Sequence, residues 1–280
     1  MLDAGRTAGS NPCMTATHRP PGSLPDTGPW TAPIQDTGGI SARELSAPHP
    51  GGQAPGVLYL PQGHALRPGA AGLPVVLVQH GGSSHKRGQD VLDLADVFVR
   101  RYGLALVAMD GPVHGDRCEA GVALEERLRI RDRFLTLWRD DSSHVARMTA
   151  DWLAVIGALA AMPGLDVARL AWVGLSMGTA YGLPLLASAP GLRAAVIGMW
   201  GLSYPNSARL ATDASQVHCP VLFQQKWDDE LFDRDGQLAL FDRIASADKR
   251  LHVYPGGHSA VQGEQMRDIE RFVVERLAAL

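Results

Sequence analysis

Short, nearly uninterrupted apolar runs alternate along this chain with segments whose apolar residues recur at helical spacing. The apolar runs consist mostly of Val, Leu, Ile and Ala. Strands of that composition have both faces covered, which is typical of a mostly parallel sheet with helical crossovers. The pattern therefore predicts an α/β protein. The predicted strands are Pro74–Gln79, Leu104–Met109, Leu170–Val173, Ala194–Gly198, Val221–Gln225 and Leu251–Tyr254.

Other segments predict the elements that surround these strands. Apolar stripes at helical spacing lie between residues 145 and 159 and between residues 266 and 277, so each predicts an amphipathic helix. Upstream, the short segments 41–46 and 56–61 are joined by a Pro- and Gly-rich turn. They predict an antiparallel pair of strands.

Composition divides the chain into an N-terminal arm and one domain. Residues 1–38 are rich in Pro, Gly, Ser and Thr and have no apolar period, so we expect a mobile arm or an extended strap there. Residues 39–280 carry the alternating pattern and form the predicted domain. Within it, the charged segment 118–140 follows the end of a strand. It is either a solvated helix face or a cap over a site.

One apolar run ends in Gly174-Leu175-Ser176-Met177-Gly178 and continues into a helical pattern. So sharp a turn from strand to helix crowds the backbone and favours residues without a Cβ two positions before and after the serine. The turn would lift the Ser176 hydroxyl clear of the sheet, with the helix N-terminus behind it. The motif alone is also compatible with an ordinary glycine-rich loop that carries a solvated serine.

Three further polar segments follow predicted strands, and in a parallel sheet such segments meet at one edge. They are residues 80–84, 226–230 and 255–258. A serine nucleophile needs an imidazole to accept its proton, and the imidazole needs a carboxylate to orient it. The order serine, acid, histidine along the chain is the one expected when a nucleophile elbow sits in the middle of a sheet.

These motifs resemble those of the α/β-hydrolases, in particular the branch similar to dienelactone hydrolases and small bacterial esterases. The resemblance covers roughly residues 40–280. It implies a mostly parallel central sheet of about eight strands, helices on both faces and a small helical cap insertion. The matching segments are His80–Gly82, Asp110–Gly115, Gly174–Gly178, Asp228–Phe232 and Gly256–His258.

The resemblance also implies catalytic roles. Ser176 is the expected nucleophile, His258 the base and Asp229 the acid that orients it. Asp229 is preferred over Asp228 because the family's acid usually stands three residues before an apolar position, here Phe232. An acidic turn without a catalytic role is the alternative for this segment.

The expected oxyanion hole consists of the backbone N–H groups of Gly82 and Met177, since two such donors stabilise the developing charge. The chain departs from the family pattern in two places. Ser176 stands where dienelactone hydrolases proper have cysteine, which favours esterase chemistry. Thr179 stands where a third glycine commonly follows the elbow, and its side chain is expected to narrow the space beside the helix start.

Candidate pocket residues are Ser83, Arg117, Trp138 and Trp200. A guanidinium binds a substrate carboxylate with two hydrogen bonds, and aromatic side chains commonly wall ligand pockets. The alternatives are an arginine that faces solvent and tryptophans that belong to the core. Sequence spacing does not separate these alternatives.

Composition and charge exclude several other classes of protein. The formal net charge is -3 and the arginines are scattered, so we expect no nucleic-acid partner. No apolar run is long enough to span a bilayer. The three cysteines form no Cys-x-x-Cys pair and indicate reduced thiols in the cytoplasm. The histidine spacing fits no common zinc pattern, so no metal and no cofactor are expected.

The sequence thus predicts a cofactor-independent serine hydrolase that cleaves a small carboxylic ester or lactone through an acyl-enzyme. A peptidase or amidase, or an acyltransferase, on the same triad is the alternative among enzymes. A ligand-binding protein that kept the fold and lost turnover is the alternative from another class. Nothing in the sequence predicts the oligomeric state.

Overall fold

A central sheet of nine strands forms the core of the described part of the chain. The structure is a computed structural model, and it describes residues 30–50, 52–70, 72–118 and 129–278. The strands are β1 (Trp30–Thr37), β2 (Ile40–His49), β3 (Gly52–Pro61), β4 (Leu73–Gln79), β5 (Ala105–Met109), β6 (Leu165–Val173), β7 (Ala194–Gly198), β8 (Val221–Lys226) and β9 (Lys249–Tyr254).

The strand order is β1-β2-β3-β5-β4-β6-β7-β8-β9, and its second half is parallel throughout. Strands β1, β2 and β3 pair antiparallel, and β3 pairs antiparallel with β5. From β5 onward every neighbouring pair is parallel. The mostly parallel sheet and the antiparallel pair at its start are therefore confirmed.

Part of the predicted N-terminal arm joins this sheet. Residues 30–37 form β1, which pairs with β2 from Thr37 opposite Ile40 to Trp30 opposite Leu45. These residues thus lie in the sheet as its edge strand, which the lack of an apolar period did not predict. Residues 1–29 lie outside the described part of the chain.

Helices cover both faces of the sheet. Those on one face, α2 to α6, bury their apolar residues in one core cluster, whereas α1 and α7 contribute to a second cluster on the opposite face. The helices are α1 (Gln89–Ala95, continued by a π-helical turn over Asp96–Arg101), α2 (Ile130–Asp140), α3 (Ser143–Ala160), α4 (Met177–Ser188), α5 (Leu210–Ala214), α6 (Arg234–Arg243) and α7 (Gly263–Ala278).

The predicted cap segment, 118–140, is described only in part, since residues 119–128 lie outside the described chain. Its second half forms α2. This helix buries Phe134 and Trp138 in the core of the domain. Among the described helices, none combines the length and apolar character that crossing a membrane requires.

Helix α4, which follows the predicted elbow, packs unusually close to the sheet. Residues 177–186 are all buried. A Cβ added to Gly182 would lie 2.4 Å from Nε1 of Trp172, a residue of β6. The helix therefore reaches its position only because this glycine lets the indole approach the helix backbone.

We predict that Gly182→Ala lowers the free energy of unfolding by about 1–3 kcal/mol, the usual cost of overpacking a core. Gly157→Ala on α3 is the matched control, because a Cβ there meets nothing within 4 Å. The control should raise stability by up to about 1 kcal/mol through helix propensity. Urea unfolding of both variants measures the difference. Equal stabilities would contradict the close approach of α4 to Trp172.

Candidate active site

The predicted strand–turn–helix elbow is present, with Ser176 between the end of β6 and the start of α4. Ser176 has φ 56° and ψ -119°, a conformation that residues with a side chain rarely adopt. A Cβ on Gly178 would lie 2.6 Å from the carbonyl oxygen of Gln79, and one on Gly174 would lie 2.8 Å from that of Gly178. Both glycines of the motif are thus required by space.

Thr179, which departs from the family pattern, holds the elbow to the end of the neighbouring strand β7. Its buried hydroxyl accepts the N–H of Gly198 at 2.7 Å and donates to the carbonyl of the same residue at 2.6 Å. The N–H of Ser176 also donates to the Gly198 carbonyl, at 2.9 Å. The sequence predicted that the Thr179 side chain narrows the space beside the helix start. In the structure this side chain also ties the elbow to β7 through hydrogen bonds.

Ser176, His258 and Asp229 lie in a hydrogen-bonded line. The Ser176 Oγ is 3.0 Å from Nε2 of His258, and Nδ1 of the same ring is 2.9 Å from Oδ2 of Asp229. The other carboxylate oxygen of Asp229 accepts the N–H groups of Leu231 at 2.9 Å and Phe232 at 3.0 Å. The Asp229 side chain is 1% exposed. Its carboxylate is therefore shielded from water, and the hydrogen bonds with His258, Leu231 and Phe232 fix its orientation.

The neighbouring acid, Asp228, does not take part in this line. It is exposed, and its backbone N–H donates to the carbonyl of Gly256 at 3.1 Å. Of the two aspartates left open by the sequence, the geometry favours Asp229.

The N–H groups of Gly82 and Met177 are both available near this line. Met177 is the first residue of α4, where a backbone N–H has no partner within the helix. Gly82 lies in the turn after β4 and lines the cavity beside Ser176. Among the described residues, neither N–H donates a hydrogen bond to another protein group. Donors without a partner in the protein are what an oxyanion hole requires.

Two buried histidines hold the loop that carries Gly82. His80 accepts the N–H of Gly111 on Nε2 at 3.0 Å, so its proton lies on Nδ1, which is 2.8 Å from the Gly81 carbonyl. Burial and the nearby His114 lower the pKa of His80 to about 3. Burial also lowers the pKa of His114, whose Nε2 is 2.9 Å from the Gly82 carbonyl. His80 thus acts as a neutral brace, and His114 holds the loop from both ring nitrogens, because its Nδ1 is 2.6 Å from the Pro112 carbonyl.

We predict that His80 stays neutral with its proton on Nδ1 from pH 8 down to pH 5. Long-range ¹H–¹⁵N NMR measures this directly, with the His80→Gln spectrum to assign the signal and free histidine as a titrating control. In the unfolded chain the His80 imidazole takes up its second proton near pH 6.5. In the folded chain it does so only near pH 3. The contribution of His80 to stability therefore falls as the pH drops through that window. A ring that titrates between pH 6 and 7 would contradict the brace.

A buried ion pair fixes the loops after β4 and β5. The Lys86 ammonium is 3.0 Å from Oδ2 of Asp110 and also pairs with Asp116. The Asp110 carboxylate accepts the backbone N–H groups of Lys86 and Asp116, each at 2.9 Å. Burial alone would raise the pKa of Asp110, but the Lys86 N–H and ammonium hold it below its usual value. The segment Asp110–Gly115, one of those that carry the family resemblance, therefore holds the two loops beside the site in place.

A cavity of about 470 Å³ opens beside Ser176 and His258. Its lining comes from the loops after β4, β6 and β9, from α1 and from the start of α7. Ser83, one of the candidate pocket residues, lines it, and so does Arg131 of α2. Its apolar wall includes Leu94, Leu175, Val261, Met266 and Ile269. A cavity of this size fits a small organic molecule.

The other three candidate pocket residues do not line this cavity. The Arg117 guanidinium instead pairs with the fully buried Asp151, with Nη2 2.6 Å from Oδ2. Trp138 and Trp200 pack edge to face with ring centroids 5.0 Å apart, and both indole N–H groups donate to Ser207. An ion pair and a hydrogen-bonded aromatic core take up these three side chains, so the described structure gives no support to their predicted contact with substrate.

No metal site is present in the part of the chain that the structure describes. There, no three His, Cys, Asp or Glu side chains are placed to hold a metal ion. His80 and His114 instead use their ring nitrogens on backbone groups.

The chain is similar to a known protein family and to several solved structures. The model of the dienelactone hydrolase family matches residues 120–271. A cold-adapted esterase from an Arctic intertidal metagenomic library is 32% identical, with a TM-score of 0.73 over 88% of this chain and 98% of that one. A putative dienelactone hydrolase from Klebsiella pneumoniae, 20% identical, shares the fold with a TM-score of 0.63 over 86% of this chain and 99% of that one.

A curated relative is similar over a shorter stretch. The hydrolase LUC6 from Fusarium is 35% identical over 139 residues, which are 49% of this chain and 29% of that protein. This chain therefore spans less than a third of that relative's length.

The chain belongs to the dienelactone hydrolase family. The family membership confirms the predicted α/β-hydrolase fold and the general class predicted from the sequence, an ester hydrolase.

Proposed function

We propose that this protein hydrolyses a small carboxylic ester or lactone with Ser176 as nucleophile, His258 as general base and Asp229 as the acid that orients the imidazole. The observation that carries this is the continuous line of hydrogen bonds from hydroxyl to imidazole to carboxylate, at 3.0 and 2.9 Å. The esterase to which the chain is 32% identical supports ester chemistry.

In the first half of the reaction, Ser176 Oγ attacks the carbonyl carbon of the substrate while Nε2 of His258 takes its proton. Asp229 keeps the other ring proton on Nδ1 and stabilises the imidazolium that forms. The carbonyl oxygen becomes an oxyanion, which the N–H groups of Gly82 and Met177 bind. Each such donor lowers the barrier by about 3 kcal/mol in comparable sites.

In the second half, the tetrahedral intermediate collapses and His258 gives its proton to the leaving alkoxide, which produces an acyl-enzyme on Ser176. Water then attacks the acyl carbon as His258 takes a proton from it, which forms a second tetrahedral intermediate. When this intermediate collapses, the bond to Ser176 Oγ breaks, His258 returns its proton to that oxygen, and the acid is released. For a lactone, the leaving alkoxide remains attached to the acyl group. Every step uses side chains or backbone groups of this chain, so the reaction requires no cofactor.

The alternatives on the same triad are amide hydrolysis and acyl transfer to an alcohol. Ester hydrolysis, amide hydrolysis and acyl transfer are distinguished by the rates on p-nitrophenyl esters, on anilides, and on esters with a competing alcohol present. For cellular location we propose the cytoplasm, because Cys118 and Cys219 are free thiols, as expected in a reducing compartment.

We predict that Ser176→Ala and His258→Ala each lower kcat on a p-nitrophenyl ester by about 10⁴-fold or more, with KM nearly unchanged. A fluorophosphonate should label the wild type once per chain and leave Ser176→Ala unlabelled. Substantial turnover or labelling in Ser176→Ala would refute the nucleophile. An unlabelled wild type would favour the non-catalytic binding protein.

We predict that Asp229→Asn lowers kcat by about 10⁴-fold, because an amide in this place favours the wrong tautomer of His258. Asp228→Asn is the matched control and should stay within about twofold of the wild type, as expected for an exposed side chain. Steady-state rates at pH 7.5 measure both variants. A larger loss in Asp228→Asn than in Asp229→Asn would reverse the assignment of the acid.

A further inference from the structure

Glu230, the residue directly after Asp229, reaches the backbone of His258. Its Oε2 accepts the His258 N–H at 2.8 Å, although the two residues are 28 positions apart. Asp229 accepts from the ring of the same histidine. Two adjacent carboxylates therefore hold His258 at two points, one on its imidazole and one on its main chain.

The neighbouring Gly257 lets this carboxylate approach. A Cβ built on Gly257 would lie 2.6 Å from Oε2 of Glu230, and its next contact, the Asp228 carbonyl, would be an ordinary 3.6 Å away. Gly257 has no left-handed backbone conformation, in contrast to Gly256 with φ 92°. What disfavours a side chain at position 257 is thus the Glu230 carboxylate and not backbone strain.

The histidine needs such an anchor because its segment has no regular secondary structure. Residues 255–262 connect β9 to α7 without forming a helix or strand. The carboxylate accepts in its ionised form, since the His258 N–H lowers the pKa of Glu230 and the charge of Arg131 acts in the same direction. A charge-assisted hydrogen bond to a backbone N–H is stronger than a neutral one.

We propose that Glu230 is a positioning residue for the catalytic base: its carboxylate anchors the backbone of His258 so that the imidazole meets both Asp229 and Ser176. This inference rests on the proposed function of His258. Glu230 acts by accepting a hydrogen bond, so an uncharged acceptor in its place preserves the position of the ring.

The test compares Glu230→Ala with Glu230→Gln on a p-nitrophenyl ester. Glu230→Ala should lower kcat about tenfold with little change in KM, the size of effect expected when a reacting group is displaced by a fraction of an ångström. Glu230→Gln retains an acceptor oxygen and should recover most of this loss. Asp228→Ala removes a neighbouring exposed carboxylate and serves as the control, with activity near that of the wild type.

A double-mutant cycle with Gly257→Ala tests the contact from its other side. In the wild-type background the added methyl group displaces the Glu230 carboxylate, so Gly257→Ala should also lower kcat several-fold. In the Glu230→Ala background the methyl group meets only ordinary contacts and should have little further effect. Two residues that act through one contact give such non-additive changes.

Several results would overturn the inference. One is a Glu230→Ala variant with wild-type kcat, and another is a Glu230→Gln variant as impaired as Glu230→Ala, which would point to charge instead of an anchor. Additive losses in the cycle, or losses that follow a fall in melting temperature, would also overturn it. His258→Ala is measured in parallel: an active His258→Ala refutes the proposed function, whereas an inactive one beside a normal Glu230→Ala refutes only the anchor.

Discussion

The site depends on one backbone constraint, the left-handed conformation of Ser176 between β6 and α4. A serine does not adopt φ 56° without support from its surroundings. That support comes from the two glycines that let backbones meet and from the Thr179 hydroxyl that ties the elbow to Gly198. Without this support, the Ser176 hydroxyl would not be held above the sheet, and the N–H of Met177 would not keep its direction.

The sheet then brings the partners to the serine. Ser176 follows β6, while Asp229 and His258 follow β8 and β9, which are parallel neighbours. The two loops stay together beyond the strands, because the N–H of Trp227 donates to the Tyr254 carbonyl and that of Asp228 to Gly256. These hydrogen bonds fix Asp229 and His258 relative to each other beside Ser176.

Much of this arrangement could be predicted because it depends on local patterns in the amino-acid sequence. Apolar runs predict the parallel strands, and Gly174 and Gly178 predict the elbow because a crowded turn excludes side chains. The pocket could not be predicted in the same way. Arg117 pairs with Asp151, which lies 34 positions further along the chain, and spacing does not reveal such a partner.

Two other features were missed for related reasons. β1 comes from a segment rich in Pro and Thr without an apolar period, and it pairs with β2 at the edge of the sheet. Glu230 carries no sequence signal because its partner is a backbone N–H, which every residue except proline has.

The most direct test of the account is a crystal structure of the protein after reaction with a fluorophosphonate, which mimics the tetrahedral intermediate. We expect phosphorus bonded to the Ser176 oxygen and one phosphoryl oxygen within about 3.1 Å of the N–H groups of both Gly82 and Met177. Phosphorus on any other side chain, or a phosphoryl oxygen directed away from these two groups, would contradict it.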